Sequence, residues 1–448
     1  MKLLSRGEPD LLHGSIADKL LYIALPLAAT AVLQQLFNAA DIAVVGRFVG
    51  ESAMAAVGGN APVVALLVNF FVGISLGTNV IISQFIGQQN HEGVHQAVQT
   101  SVLFALLGGV AFSALGELIA PWLLSLLSVP EDVVGMALTY LRIYFLGLPV
   151  IFLYNFESAI FRAKGDTRTP LMVLTVSGAL NVALNLFFVL SLGMAVEGVA
   201  LATLASNLVS AVVLFILLCR STSDVHLDVR ALRFDGKTLQ RILRVGIPAG
   251  IQSAVFSISN ICVQSAINSL GTTVIAASSA AFNLEIFAYY MLNSFSQAGT
   301  TIVGQNYGAG NLERCHKTLR ITLLVDLAVT ALSCTLILLF SSPLLSIFNG
   351  NPDVIYYGTI RLRYLFASYA FAMLVDVFSG YLRGFGESML PAISTLVCAV
   401  GVRIFWVYVV FPQHRSFAGL MLAYPISQAL NACAMITMWL VFRKKRNL

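Results

Sequence analysis

Apolar runs of membrane-spanning length, separated by short polar breaks, organise the whole chain. They fall near residues 20–45, 53–84, 96–125, 134–160, 170–191, 196–219, 239–267, 274–302, 319–341, 355–382, 390–411 and 418–441. A helix needs about 20 apolar residues to cross the hydrocarbon core of a bilayer. Lipid offers no partner to backbone N–H and C=O groups, so the pattern predicts twelve transmembrane α-helices and an all-α polytopic protein. Pro26, Pro62, Pro149, Pro248 and Pro425 lie within the runs, where membrane helices tolerate them. The first 17 residues are polar and the first run is long enough to span, so no cleavable leader is expected.

The chain repeats itself. Gln84, Gly87, Asn90, Glu92 and His95 return at the same spacing as Gln305, Gly308, Asn311, Glu313 and His316. Arg162-x-x-Gly165-Asp166-Thr167-x-x-Pro170 returns as Arg383-x-x-Gly386-Glu387-Ser388-x-x-Pro391. Six spans per repeat, an even number, give both halves one orientation. The two lobes are then related by an axis along the membrane normal, the parallel-repeat arrangement of transporters, with the working site near the midplane. The expected division is an N-terminal six-helix lobe over 1–219, a cytoplasmic linker over 220–237 and a C-terminal six-helix lobe over 238–448.

Composition narrows the class. Of 448 residues, 58% are hydrophobic and 10% charged, against about 25% charged in soluble domains. A soluble enzyme, a disordered chain and a disulfide scaffold are excluded. The net charge of +5 does not point to nucleic acid. With the N-terminus inside, the inner segments hold most of the Lys and Arg, and the outer loops only Arg47 and Arg415. This positive-inside bias places both termini in the cytoplasm and the protein in the cell membrane. Six scattered cysteines form no CxxC pair and read as apolar filler. Walker A, HExxH and GxSxG sequences are absent, so no enzymatic activity, cofactor or structural metal is expected.

An ionisable residue at membrane depth costs a few kcal/mol at least, so the few present are functional candidates. Gln34, Asn38 and Asp41 share one face of the first span. Asn181 and Asn185 on span 5 and Thr203 on span 6 supply amide and hydroxyl groups to partner Asp41. One carboxylate among such oxygens suits a proton or Na+. Asn207 reads as interhelical glue. In the second lobe Glu285, Asp376 and Arg403 lie within spans 8, 10 and 11; one Arg cannot neutralise two carboxylates, so either one acid holds a proton or a cation completes the site beside Arg403. Glu157 is expected to pair with Arg162, Asp326 to reach the inner interface and Glu117 to be solvated near an outer end. Tyr154, Phe282, Phe287, Tyr289, Tyr290 and Phe295 are candidates to face flat lipophilic cations.

The chain resembles the multidrug and toxic compound extrusion (MATE) family over nearly its full length. The resemblance rests on Asp41-x-x-x-x-Gly46-Arg47 closing span 1, on Gly304-Gln305-Asn306-Tyr307-Gly308-Ala309 after span 8, and on the Arg162/Gly165 and Arg383/Gly386 motifs. It implies a V-shaped twelve-helix secondary antiporter. Such a protein exports cationic or aromatic compounds in exchange for inward H+ or Na+, by alternating access of its two lobes. Asp41, Asn181 and Thr203 match the family's N-lobe ion site. Asn185 stands where part of the family has Asp, one negative charge fewer. Gln34 and Asn155 fall near positions facing the substrate cavity. Span 7 has Gln252 where some relatives carry an acid, leaving Glu285 and Asp376 to the C-lobe. The expected partners are small molecules and the bilayer, and a monomer is expected. Two alternatives remain: a flippase of a lipid-linked precursor, which shares the architecture, and a channel.

Overall fold

The computed structural model describes residues 9–126 and 131–446. Lys2 and Arg6, two of the charges expected on the cytoplasmic side, lie outside them. Among the described residues all regular structure is helical, and every expected span is occupied. In chain order the helices are α1 (Ile16–Phe48), α2 (Glu51–Gly87), α3 (His91–Leu126), α4 (Glu131–Leu146), α5 (Leu148–Ala163), α6 (Arg168–Leu186), α7 (Val196–Cys219) and α8 (Gly236–Asn268). They continue as α9 (Thr272–Gly308), α10 (Leu312–Leu339), α11 (Ser341–Ser346), α12 (Pro352–Gly384), α13 (Met389–Ser394), α14 (Val402–Phe405), α15 (Phe417–Met421) and α16 (Ala423–Lys445).

Eleven helical segments among the described residues are long and apolar enough to cross a membrane. A twelfth span is the pair α4–α5, bent by 49°. The bend falls at Gly147-Leu148-Pro149. Proline lacks the N–H that would tie it to the preceding turn, so it starts a helix there rather than continuing one. Large apolar side chains stay outside: Leu118 is 80% and Leu324 68% exposed. In a soluble fold they would be a liability, and in a bilayer they face acyl chains.

The chain divides into two compact units, one of residues 29–243 and one of 10–28 with 244–448. The first unit has a core of Phe71, Phe145, Phe152 and Phe156 between α2, α3, α4 and α5. The segment after α7 folds back onto it. Val225 and Leu227 are buried, Asp235 N–H donates to Thr100 Oγ1 at 3.1 Å, and the Arg241 guanidinium lies 4.7 Å over the Phe85 ring. The second unit is built around α12, which packs on α9, α10 and α16. The start of α1 joins it through Leu20 and Ile23, which meet Phe295 and Ile302.

The repeated motifs are turn devices. Gly165 and Gly386 hold φ of 87° and 85°, the left-handed conformation that ends a helix and that a side chain would strain. Asn90 Oδ1 accepts Gly93 N–H at 2.9 Å, and Asn311 Oδ1 accepts Arg314 N–H at 3.0 Å. Each caps the helix that follows. The duplication therefore preserves the points where the chain reverses.

Candidate functional site

Four expected residues converge in the first unit. Asp41 on α1 is 7% exposed and meets α6 and α7. Asn185 Nδ2 donates to Asp41 Oδ1 at 2.5 Å. Thr203 Oγ1 donates to Asp41 Oδ2 at 3.2 Å. Asn185 Nδ2 also lies 3.3 Å from Asn181 Oδ1, and Asn181 Nδ2 reaches Thr203 Oγ1 at 3.4 Å. Asn207 donates to the Thr203 carbonyl at 2.8 Å and so stays on its own helix. Every donor to the carboxylate is neutral, and among the described residues no cation pairs with it. A carboxylate sealed from water with only neutral donors is costly to keep ionised, so gaining a proton or a cation changes its energy strongly.

Helix contacts set this geometry. Phe37 lies one turn before Asp41 on the same face of α1, and its ring sits against Gly178 of α6. A Cβ at Gly178 would occupy the space of that ring. Gly178 precedes Asn181 by three residues and Asn185 by seven, so the close approach at Gly178 brings the amides to Asp41. Ser210 Oγ donates to Ser177 Oγ at 2.6 Å and fixes α7 beside them. Beyond Asn185, a π-helical turn over Phe187–Ser191 ends the helix, a feature frequent at functional sites. Gly178→Ala is expected to cost about 1–3 kcal/mol, the usual range for overpacking, and to part Asn185 from Asp41. A thermal melt in detergent measures the first effect, and loss of ion-sensitive substrate binding reports the second.

Other expectations fare differently. Gln34 and Asn38 are exposed while Asp41 is buried, so the polar face of α1 runs inward along the helix. Asn155 is 9% exposed, and its Nδ2 donates to the Ile151 carbonyl at 2.8 Å within its own helix. Tyr154 and Phe295 are core residues, whereas Phe282 and Phe287 are exposed. Sequence reasoning passed over Tyr140 of α4, which is buried within electrostatic range of Asp41 and pairs face to face with Tyr144 at 6.5 Å. The signal was present: two tyrosines four apart in an apolar run.

Several charged groups, most of them in the second unit, need correction. Arg403 is not the counter-charge of Glu285. Arg361 of α12 is: its Nη2 and Nε lie 2.7 and 3.0 Å from the Glu285 oxygens, both side chains being buried. Depth along a helix placed Glu285 level with Arg403, but α12 lies directly against α9. Arg403 is 1% exposed. It donates to Ser427 Oγ at 3.1 Å and Asn260 Oδ1 at 3.2 Å, with its guanidinium 4.9 Å from the Phe256 ring centre and 4.5 Å from that of Tyr424. Aromatic faces and neutral oxygens satisfy it in place of a carboxylate. Asp376 takes Asn293 Nδ2 at 3.3 Å, and its backbone carbonyl takes Ser296 Oγ at 2.5 Å. Glu157 does not pair with Arg162: it is fully buried, and neither oxygen has a hydrogen-bond partner among the described residues. Asp326 does not reach an interface but is fully buried, with Thr330 Oγ1 donating to its Oδ1 at 3.1 Å. Glu117 is part-exposed and lies 3.6 Å from Arg142. Among the described residues no three His, Cys, Asp or Glu side chains stand together as metal ligands.

Twelve apolar spans, duplicated within one chain and enclosing polar clusters at membrane depth, define a multi-pass membrane transporter. The MatE family model matches residues 26–187 and again 248–409, once in each half. The chain belongs to this family of multidrug efflux transporters. It is 28% identical over 417 residues to the probable multidrug resistance protein YoeA of Bacillus subtilis, covering 91% of this chain and 90% of that one. It is 27% identical to the probable multidrug resistance protein NorM of Thermotoga maritima, covering 87% and 84%. The fold matches that of an outward-facing multidrug resistance MATE family transporter with a TM-score of 0.87, at 24% identity and 98% coverage of both chains.

Proposed function

We propose that the protein is a secondary antiporter that exports cationic, aromatic small molecules in exchange for inward protons, with Asp41 as the switching charge. It works as a monomer in the cell membrane with both termini cytoplasmic. Its lobes are residues 1–219 and 238–448, joined through 220–237, and they alternate access to the two sides.

One observation carries this reading: the buried Asp41 carboxylate is held only by neutral donors, from two other helices. Ionised, Asp41 attracts a cationic substrate and stands as an isolated negative charge. Protonated from outside, it loses that attraction, the substrate leaves, and the neutral site returns inward to release its proton. Ion and substrate compete for one charge, which is all that coupling requires. The low charge of the site favours a proton over Na+. Asn185 stands in place of a second acid and so leaves less charge to hold a metal ion. Arg403, engaged with Ser427 and Asn260, is poorly placed to hold the phosphates a flippase would bind.

The test is equilibrium binding of a fluorescent lipophilic cation to the purified protein between pH 5 and 9, with and without Na+. Affinity is expected to fall with falling pH by about 5–150-fold, the usual span of coupling free energies, and to ignore Na+. Affinity independent of pH would rule out this competition.

A further inference from the structure

At one side of the second unit the end of α12 lies between the start of α10 and the end of α16, and the side chains there are aromatic and cationic. Phe385, just after α12, packs its ring against Tyr307 of α9 at 4.6 Å, Tyr381 of α12 at 4.9 Å and Phe442 of α16 at 5.7 Å. Arg446 Nη1 donates to Tyr307 Oη at 3.2 Å, and its guanidinium lies 4.9 Å from the Phe442 ring centre. These contacts hold the end of α16 near the start of α10. Arg443 of α16 and Arg320 of α10 both come within electrostatic range of His316.

His316 is half-buried, and its ring lies along that of Tyr381 with Tyr381 Oη 2.9 Å from Nδ1. With the buried Tyr381 hydroxyl donating to Nδ1, the ring hydrogen sits on Nε2, which has no acceptor among the described residues. Arg320 and Arg443 are exposed. Glu313, one turn earlier on α10, and Glu387, just after α12, form no ion pair with His316 or Arg320 among the described residues. Two guanidinium groups and an unsatisfied N–H thus stand together, an arrangement that lowers its energy by taking up an anion. The first repeat has no such group. At the repeat spacing Gln99 and Thr222 stand for Arg320 and Arg443, and His95, the counterpart of His316, lies 3.2 Å from the His226 carbonyl.

Exposed apolar side chains continue from these cations along the two helices. Leu324, 68% exposed, stands one turn beyond Arg320 on the same face of α10. Leu440 and Val441 are exposed one turn before Lys444 and Lys445 on α16. A phosphate carrying acyl chains matches that order, whereas a free anion would leave the apolar half unused. We propose that this place is a seat for one anionic phospholipid. Its phosphate accepts from His316 Nε2 and from the Arg320 and Arg443 guanidinium groups, whose planar donors suit phosphate oxygens. Its acyl chains lie along Leu324, Leu440 and Val441. Basic pockets between membrane helices hold anionic headgroups by the same chemistry.

Native mass spectrometry of the purified full chain, with no transported substrate present, tests this apart from the coupling proposed above. The protein is titrated with phosphatidylglycerol, with phosphatidylcholine of the same acyl chains, and with phosphatidylglycerol in the presence of inorganic phosphate. One phosphatidylglycerol should bind ahead of any phosphatidylcholine, and phosphate should not displace it. Arg320→Gln and Arg443→Gln should each weaken that binding about fivefold, the usual worth of one cation beside an anionic membrane surface. Lys237→Gln removes an exposed cation of the first unit and should leave it unchanged. Equal binding of the two lipids, or an equal loss in Lys237→Gln, overturns the inference. Displacement of the lipid by phosphate would assign the seat to a free anion and overturn it as well.

Discussion

Asp41→Asn is expected to bind a cationic substrate with an affinity that no longer responds to pH, and to lose uphill transport altogether. The substitution preserves shape. An amide oxygen can still accept from Thr203 or Asn185, so the contacts at 3.2 and 2.5 Å need no rearrangement of α6 or α7. What disappears is the one charge that ion and substrate contend for. The pH-dependent factor, about 5–150-fold in a coupled wild type, should fall to about one. Affinity for the cation should fall as well, toward the value of the protonated wild type. Binding measured across the pH range checks both points on one sample. Asn185→Ala is the control: it removes a donor but keeps the carboxylate, so pH dependence should remain.

Arg361→Ala should be the most damaging single truncation for stability, at about 3–5 kcal/mol, the range for breaking a buried ion pair by removing one partner. The reason lies in what remains. Glu285 would be left buried between α9 and α12 without its bidentate partner, with Arg403 within electrostatic range but not bonded to it, and Tyr369 Oη bonds its backbone rather than its carboxylate. The paired replacement Arg361→Met with Glu285→Leu should restore most of the loss, because it removes both charges and keeps the volume. A double-mutant cycle on unfolding in mild detergent reads the coupling directly. If instead Glu285 were an ion-coupling acid whose protonation state changes during turnover, the repaired pair would be stable but inactive. Uphill transport by the repaired pair is expected here, since a bidentate Arg–carboxylate pair at 2.7 and 3.0 Å is already neutralised.

The sequence made some of this legible and hid the rest for physical reasons. Spans could be read because lipid allows only saturated helices, and length decides whether a run can cross. The bend at Gly147–Pro149 was readable in principle, since proline sets helix starts, yet the hydrophobic run passes through it unbroken. The Asp41 cluster could be anticipated in part because Asn181, Asn185 and Thr203 sit at helical spacing on spans 5 and 6, which are consecutive and pack together; that span 1 meets them follows from the fold and not from spacing. The second unit resisted the same treatment. Depth along a helix fixes how far a charge lies from the surface but not which helix faces it. Glu285 could have met Arg403 or Arg361 at similar depth, and only the packing of α12 on α9 chose. Glu157 misled for a related reason: five residues separate it from Arg162, which on a helix turns the two side chains apart.

The central claim is that an inward proton gradient drives a cationic substrate outward. The direct measurement is movement of a fluorescent lipophilic cation across liposomes containing the purified wild type, with a proton gradient imposed in one sample and a sodium gradient in another. The account predicts accumulation against the substrate gradient under the proton gradient alone, abolished by a protonophore. Accumulation driven by sodium with no proton gradient would contradict the ion assignment, and equilibration without accumulation under either gradient would contradict antiport itself.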